Sequence, residues 1–312
     1  MEIRMRYMVH LISLLVALTT AVMADASWGY NADNGPATWP GVCQTGFRQS
    51  PIDFNLGSVE ISHYNKLHFV HYHNAGSVNV TNNGHSVTVS GFETWGPNQP
   101  YIYSGGLAHK YKLVQFHAHW SQDYLTGSEH TVGGLHYPAE VHFVHIRDGY
   151  TVATAANLSD GIAVVGVFLN LGTPNVGISM LKAALSDVVS VGPVTKVDGF
   201  RPKTLLPQNT ESFYRYEGSL TTPGCNEAVI WTVLTDPVTV TEDQLNLFRN
   251  LKDHHDNMLA TNYRPTQPLN GRQITFRPSN FDRIELCGSA PTLRGSISAF
   301  IATIASIWLP NM

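Results

Sequence analysis

Two histidines two residues apart inside an apolar, strand-like run, Gln115-Phe116-His117-Ala118-His119-Trp120, constrain this chain more than any other feature. Alternate side chains of a strand share a face. Both imidazoles therefore point the same way, about 7 Å apart along the backbone, and can converge on one ion through bonds near 2 Å. A third comes from His142 in the strand-like run Ala139-Glu140-Val141-His142-Phe143-Val144-His145, after a connection of about 20 residues. Three neutral histidines with one open position describe a catalytic zinc site rather than a closed structural one. Either His117 or His119 alone would read as an ordinary sheet histidine.

The chain holds fifteen histidines, so chance pairs occur, and His71-Tyr72-His73 with His68 before it is another. The partners of the ligands separate the two clusters. A ligating imidazole needs an acceptor on its other nitrogen to fix the tautomer. Gln115 and Glu140 each stand two residues before a ligand and so on the same strand face, whereas no amide or carboxylate is similarly placed beside His71. The His71 cluster reads as a surface or packing feature.

Short runs of β-formers, SVNVT, HSVTVSGF, KLVQFHAHW, AEVHFVHI, IAVVGVFLN and AVIWTVL, alternate with Gly, Asn, Asp or Pro clusters. They predict a mainly β fold: one large, mostly antiparallel sheet with short surrounding helices. The better helical candidates are Ile178 to Val189 and Glu242 to Asp253, the latter capped by Thr241. No repeat or low-complexity linker interrupts residues 27–286, which are expected to form a single domain. With a net charge of −4 and no Lys/Arg block, nothing points to nucleic acid, and a small-molecule partner is expected.

The two ends read as processing signals. Residues 1–26 carry Arg4 and Arg6 ahead of an apolar run closing on small residues, the pattern of a cleaved signal peptide. Residues 287–312 begin with the small residues Cys287, Gly288 and Ser289 and end in an apolar stretch, the order of a glycosylphosphatidylinositol (GPI) attachment signal. Together they predict the secretory route and the extracellular face of the plasma membrane, held by a lipid anchor. In that compartment Cys43 and Cys225 are the cysteines to join, closing a loop of about 180 residues worth roughly 5 kcal/mol at most. Asn79-Val80-Thr81 and Asn157-Leu158-Ser159 are glycosylation sequons.

The runs around His117 and His142, with Gly127-Ser128-Glu129-His130-Thr131-Val132 and Ser219-Leu220-Thr221-Thr222-Pro223, resemble the alpha carbonic anhydrases in order and spacing. Trp28-Gly29-Tyr30, Arg48-Gln49-Ser50-Pro51, Asn82-Asn83-Gly84-His85 and Arg264-Pro265-Thr266-Gln267-Pro268-Leu269 extend the likeness over nearly the whole mature chain. The anchor signal resembles that of the family's membrane-tethered branch, and Cys43 and Cys225 match the disulfide of its extracellular members. The resemblance implies a twisted sheet of about ten strands and reversible hydration of carbon dioxide to bicarbonate by zinc-bound hydroxide. It implies that Gln115, Glu140 and Asn262 support the zinc ligands, that Thr221 orients the nucleophile and that Glu129 takes the Thr221 proton. Val144, Val164, Leu220, Val229 and Trp231 would wall the substrate site, with Thr221 and Thr222 meeting substrate. Tyr30, Asn83 and Thr88 would line its polar side, and His85 would shuttle protons. Two departures stand out: Ala118 replaces a bulkier apolar residue, and Gly224 follows Pro223 where cytosolic forms have proline.

Other readings fit less well. A catalytically silent surface module of this family typically lacks a ligand, and all three histidines are present. A cupin needs a glutamate about four residues after the His-x-His pair, and none stands before Glu129; no His-Glu-x-x-His of a zinc peptidase occurs.

Overall fold

The computed structural model describes residues 28–279. The signal-peptide and anchor-signal expectations, Cys287, Gly288 and Ser289 included, lie outside those residues.

Ten strands form the path of the main sheet: β1 (Val59–Ile61), β2 (Gly76–Asn82), β3 (Val87–Ser90), β4 (Leu107–Trp120), β5 (Ala139–Arg147), β6 (Ile162–Leu171), β7 (Val194–Phe200), β8 (Phe213–Gly218), β9 (Val229–Leu234) and β10 (Ile274–Arg277). Their spatial order is β7-β2-β3-β4-β5-β6-β9-β8-β10-β1, with three short strands attached at the side. Most pairs are antiparallel, as the sequence predicts, but β6 runs parallel to β9, and β10 parallel to β1. The central strands β5 and β6 are buried along nearly their whole length, which explains why IAVVGVFLN shows no apolar–polar alternation. At the edge, β7 is mostly exposed and carries the Lys196–Asp198 pair, a charged rim suited to an unpaired strand edge.

Alternation along β4 and β5 divides the core. Phe116, Ala118, Trp120, Val141 and Phe143 face one buried cluster, which the helix α1 (Val176–Asp187) covers with Ile178, Leu181 and Leu185. The opposite face carries the histidines and a second cluster around Val144, Val164 and Trp231. Helix α1 begins two residues before the predicted start because Asn175 caps it, its side chain accepting from the Ile178 amide. Helix α2 (Glu242–Arg249) has the predicted Thr241 cap, completed by Gln244 into a capping box. It stops at Arg249, short of Asp253, whose carboxylate instead holds a turn by accepting from the His255 and Asn257 amides.

Cys43 and Cys225 are joined as expected, with Cα atoms 5.0 Å apart. The loop after Pro223 turns through Gly224 at φ 97° and Cys225 at φ 42°. Proline, fixed near −65°, cannot take the Gly224 conformation, which accounts for that departure from the cytosolic pattern. The His71 cluster is a turn and packing feature: His71 sits at φ 62°, and His68 stacks on Tyr103.

On β5, three residues past His142, His145 is fully buried; its Nδ1–H donates to the Ala163 carbonyl and its Nε2 accepts from the Tyr72 hydroxyl. Burial pushes its pKa down to about 3. The unfolded chain takes up this proton below about 6.5 and the folded chain does not, so stability is full above that pH and falls between about 6.5 and 3. This group contributes a slope of up to about 1.4 kcal/mol per pH unit. Urea unfolding across that range should show a flatter pH dependence for His145→Phe than for the unsubstituted chain.

Candidate metal centre

The register of the central strands assembles the three histidines. His117 on β4 stands directly opposite His142 on β5, and His119 follows two residues on, on the same face. The three ring centroids lie 4.6 to 5.3 Å apart. One nitrogen from each ring lies within 4.8 Å of the other two.

Each ring's far nitrogen is committed. His117 Nδ1 donates to Gln115 Oε1 at 3.0 Å, His119 Nδ1 to the Asn262 backbone carbonyl at 2.7 Å, and His142 Nε2 to Glu140 Oε1 at 2.8 Å. These bonds leave His117 Nε2, His119 Nε2 and His142 Nδ1 turned inward. His119 Nε2 is buried without a hydrogen-bond partner, a costly state for a lone imidazole and the expected one for a metal ligand. Burial, followed by the neighbouring rings, holds His117 well below the usual imidazole range; burial also lowers His119. Both are therefore neutral at physiological pH, the form that ligates. An N3 donor set of this kind suits zinc, so the residues fit the metal.

Glu140 anchors the arrangement. Its Oε2 accepts from the amides of Glu129 and His130 at 2.9 and 2.8 Å, and its Oε1 accepts from His130 Nδ1 at 2.7 Å as well as from His142. Burial by itself would raise its pKa, but His130 and His142 outweigh that and hold the carboxyl well below its ordinary value. Beyond it, His130 Nε2 and Ser50 Oγ both meet the Tyr216 hydroxyl. Ser50 and Ser219 then bond reciprocally, each amide to the other's hydroxyl, which fixes the segment leading to Leu220 and Thr221. His130, Ser50 and Ser219 lie within the motifs noted above without a role assigned to them; Tyr216 stands in none. The group His130–Glu140–His142 is also compact, but its atoms are already bonded to one another, which makes it the support of the centre rather than a second site.

Glu129 is fully buried beside the trio. Its Oε1 accepts from the Arg264 amide at 2.8 Å and lies 3.5 Å from His119 Nδ1; its Oε2 lies 3.8 Å from His142 Nδ1 and has no hydrogen-bond partner. The expected bond from the Thr221 hydroxyl to this carboxylate is not formed: Oε1 takes the Arg264 amide, and Oε2 is left open. Arg264 also donates to the Gln49 side chain and the Ser50 and Cys43 carbonyls, tying the Cys43 segment to the floor of the site. Asn262 has a further role: its side chain accepts from the Trp120 amide and donates to the carbonyls of His85 and Ala118.

The expected apolar wall is one contiguous cluster. Val144, Val164, Val229 and Trp231 are buried together, Leu220 packs against them, and the Trp231 ring lies 4.8 Å from that of His142. Thr221 is buried and Thr222 half-buried in the loop closed by the disulfide, where the Cys225 amide donates to the Thr222 carbonyl. On the polar side, Thr88 stands opposite His117 and accepts from the Asn83 side chain at 3.5 Å, while Asn83 Oδ1 accepts from the His85 and Ser86 amides. Burial, followed by the Glu129 charge, raises Tyr30 well above the ordinary phenol range. The His85 ring stacks on Trp28 with centroids 3.6 Å apart.

A three-histidine centre, with His119 and His142 buried and His117 half-buried, between an apolar and a polar wall on a largely antiparallel sheet, defines the class of protein. The family model for eukaryotic-type carbonic anhydrase matches residues 34–278, and the chain belongs to that family. Among similar proteins, "Putative carbonic anhydrase 5" of Caenorhabditis elegans is 45% identical over 95% of this chain and 96% of its own. Human carbonic anhydrase 7 is 38% identical over 79% of this chain and 96% of its own, and bovine carbonic anhydrase 3 is 37% identical over the same shares. The chain is accordingly an enzyme of the carbonic anhydrase type, acting on carbon dioxide and bicarbonate.

Gly166 stands opposite His142, and a Cβ there would come within 2.9 Å of Glu140 Oε1, an atom its hydrogen bonds prevent from moving aside. Gly166→Ala and Glu140→Gln should each weaken zinc affinity about 10- to 100-fold, the usual effect of disturbing a ligand's partner. Competition with a chromophoric chelator measures this, and an unchanged affinity in both variants would contradict the role given to Glu140.

Proposed function

We propose that the chain interconverts carbon dioxide and bicarbonate with zinc held by His117, His119 and His142. The observation that carries this is the set of three imidazoles whose outer nitrogens are all committed to acceptors while their inner nitrogens converge. When bound, zinc would supply a Lewis acid that lowers the pKa of a coordinated water to about 7. The residues do the rest. Thr221 orients the nucleophile by accepting its hydrogen bond, and the partner-free Oε2 of Glu129 is the acceptor available for its own proton when the metal is held. Val144, Val164, Leu220, Val229 and Trp231 receive an apolar gas without offering it competing hydrogen bonds, while Thr221 and Thr222 meet the substrate oxygens. Tyr30, Asn83 and Thr88 order the water along which a proton reaches His85, imidazole being the side chain suited to relay protons near neutrality.

Stopped-flow hydration of carbon dioxide by the purified enzyme tests the reading. Activity should vanish on chelation, return with zinc and be lost in His119→Ala. A folded, zinc-loaded protein without turnover would refute it.

The same reading extends to location. Asn79 and Asn157 are both exposed, as glycan acceptors must be, which supports occupancy of the two sequons on a secretory route. The chain is proposed to reach the outer face of the plasma membrane with its anchor joined near Cys287, Gly288 or Ser289. In cells expressing the full chain, peptide N-glycosidase should increase gel mobility, and phosphatidylinositol-specific phospholipase should release the enzyme to the medium. Retention on the membrane after the phospholipase would exclude the lipid anchor.

A further inference from the structure

His85 is enclosed: 8% of its surface is exposed, with one ring face laid on Trp28. A proton acceptor so covered has poor access to buffer bases in solution. A second imidazole lies beside it. The His254 ring is 5.2 Å from that of His85, centroid to centroid, and His254 itself is exposed. A cavity of about 200 Å³, lined by Trp28, Tyr30, His85, His254 and His255 among others, opens between them and is roomy enough for several waters.

The juxtaposition is built into the backbone. Asn82, at the start of the turn bearing His85, donates through its side chain to the Lys252 carbonyl, two residues before His254. Gly84 takes φ 82°, and a Cβ there would fall 2.3 Å from the His254 ring, so only glycine lets that ring lie against the turn. The turn carrying His254 is itself held by the Asp253 carboxylate and by the Lys252–Asp256 ion pair at 2.8 Å. The charged or titratable groups near His254 include Lys252, Asp253, His255 and Asp256 on its own segment and Tyr30 and His85 lining the cavity.

We propose that His254 is the outer relay of proton release, taking the proton from His85 and passing it to buffer. This rests on the reading of His85 as the proton carrier. In the step, the N–H bond of the His85 imidazolium breaks, a bond to the free ring nitrogen of His254 forms directly or through one water, and a buffer base then removes that proton. Both imidazoles end neutral, and nothing else is made or broken.

The test compares the full-chain-derived enzyme with its His254→Ala, His254→Gln and His85→Ala variants. It uses carbon dioxide hydration across buffer concentrations, and proton NMR titration of the imidazole signals in the zinc-free protein. His254→Ala and His254→Gln should lower kcat about three- to tenfold in dilute buffer, a fraction of the about 100-fold that a general acid–base group supplies. They should leave kcat/KM unchanged, which also reports an intact fold, and imidazole buffer should restore kcat. The His85 titration midpoint should rise in both variants, since a like-charged neighbour is gone. Normal kcat in dilute buffer for both His254 variants, with kcat lowered in His85→Ala, would overturn the relay alone. Normal kcat in His85→Ala would overturn the shuttle reading and the relay with it.

Discussion

The Glu140 carboxylate is the point on which the site depends. Its two oxygens accept four hydrogen bonds, from His142, His130 and two successive backbone amides. A buried charge is tolerable only when its lone pairs are met in this way. The same four bonds fix the His142 ring, the course of the Glu129–His130 segment and, through Tyr216 and Ser50, the approach to Thr221. One anion thus coordinates three segments far apart in sequence, and the absence of a side chain at Gly166 makes its position available.

The sheet supplies the complementary constraint. Adjacent strands in register place His117 opposite His142, then Val144 beside Val164 and Val164 beside Trp231, so the change from metal-binding to apolar chemistry takes place across one continuous face. The other face is filled by Phe116, Phe143 and the residues of α1. A sheet buried on both faces resists displacement of its strands, because any slip by one residue would exchange histidines for core aromatics.

Much of this was legible because strand alternation is a local rule. The His-x-His pair, its partner His142 and the supports Gln115 and Glu140 all follow from it, as do the central strands. The Thr241 cap was equally local, while the end of its helix was not: Asn250 to Asp253 leave the helix because Asp253 bonds forward to two amides, a competition that helical patterning does not register. Asn262 and Glu129 came through the family resemblance, but the support to His119 is a backbone carbonyl, and a carbonyl has no letter in the sequence. The Tyr216–Ser50–Ser219 chain joins residues more than 160 positions apart through hydroxyls that are individually unremarkable. The parallel pairings of β6 with β9 and of β10 with β1 are likewise set by tertiary connection rather than by composition.

The support from Asn262 also orders events in time. His119 takes its orientation from a carbonyl 143 residues later in the chain, and the same asparagine stitches Trp120, Ala118 and His85 together. A chain emerging from the ribosome exposes its histidines well before that residue has been synthesised. Long-range closures of this kind are slow and come late in folding. The nascent enzyme therefore stays without a finished centre until the Asn262 segment docks, and a chain cut short before Asn262 would keep all three histidines yet never orient His119.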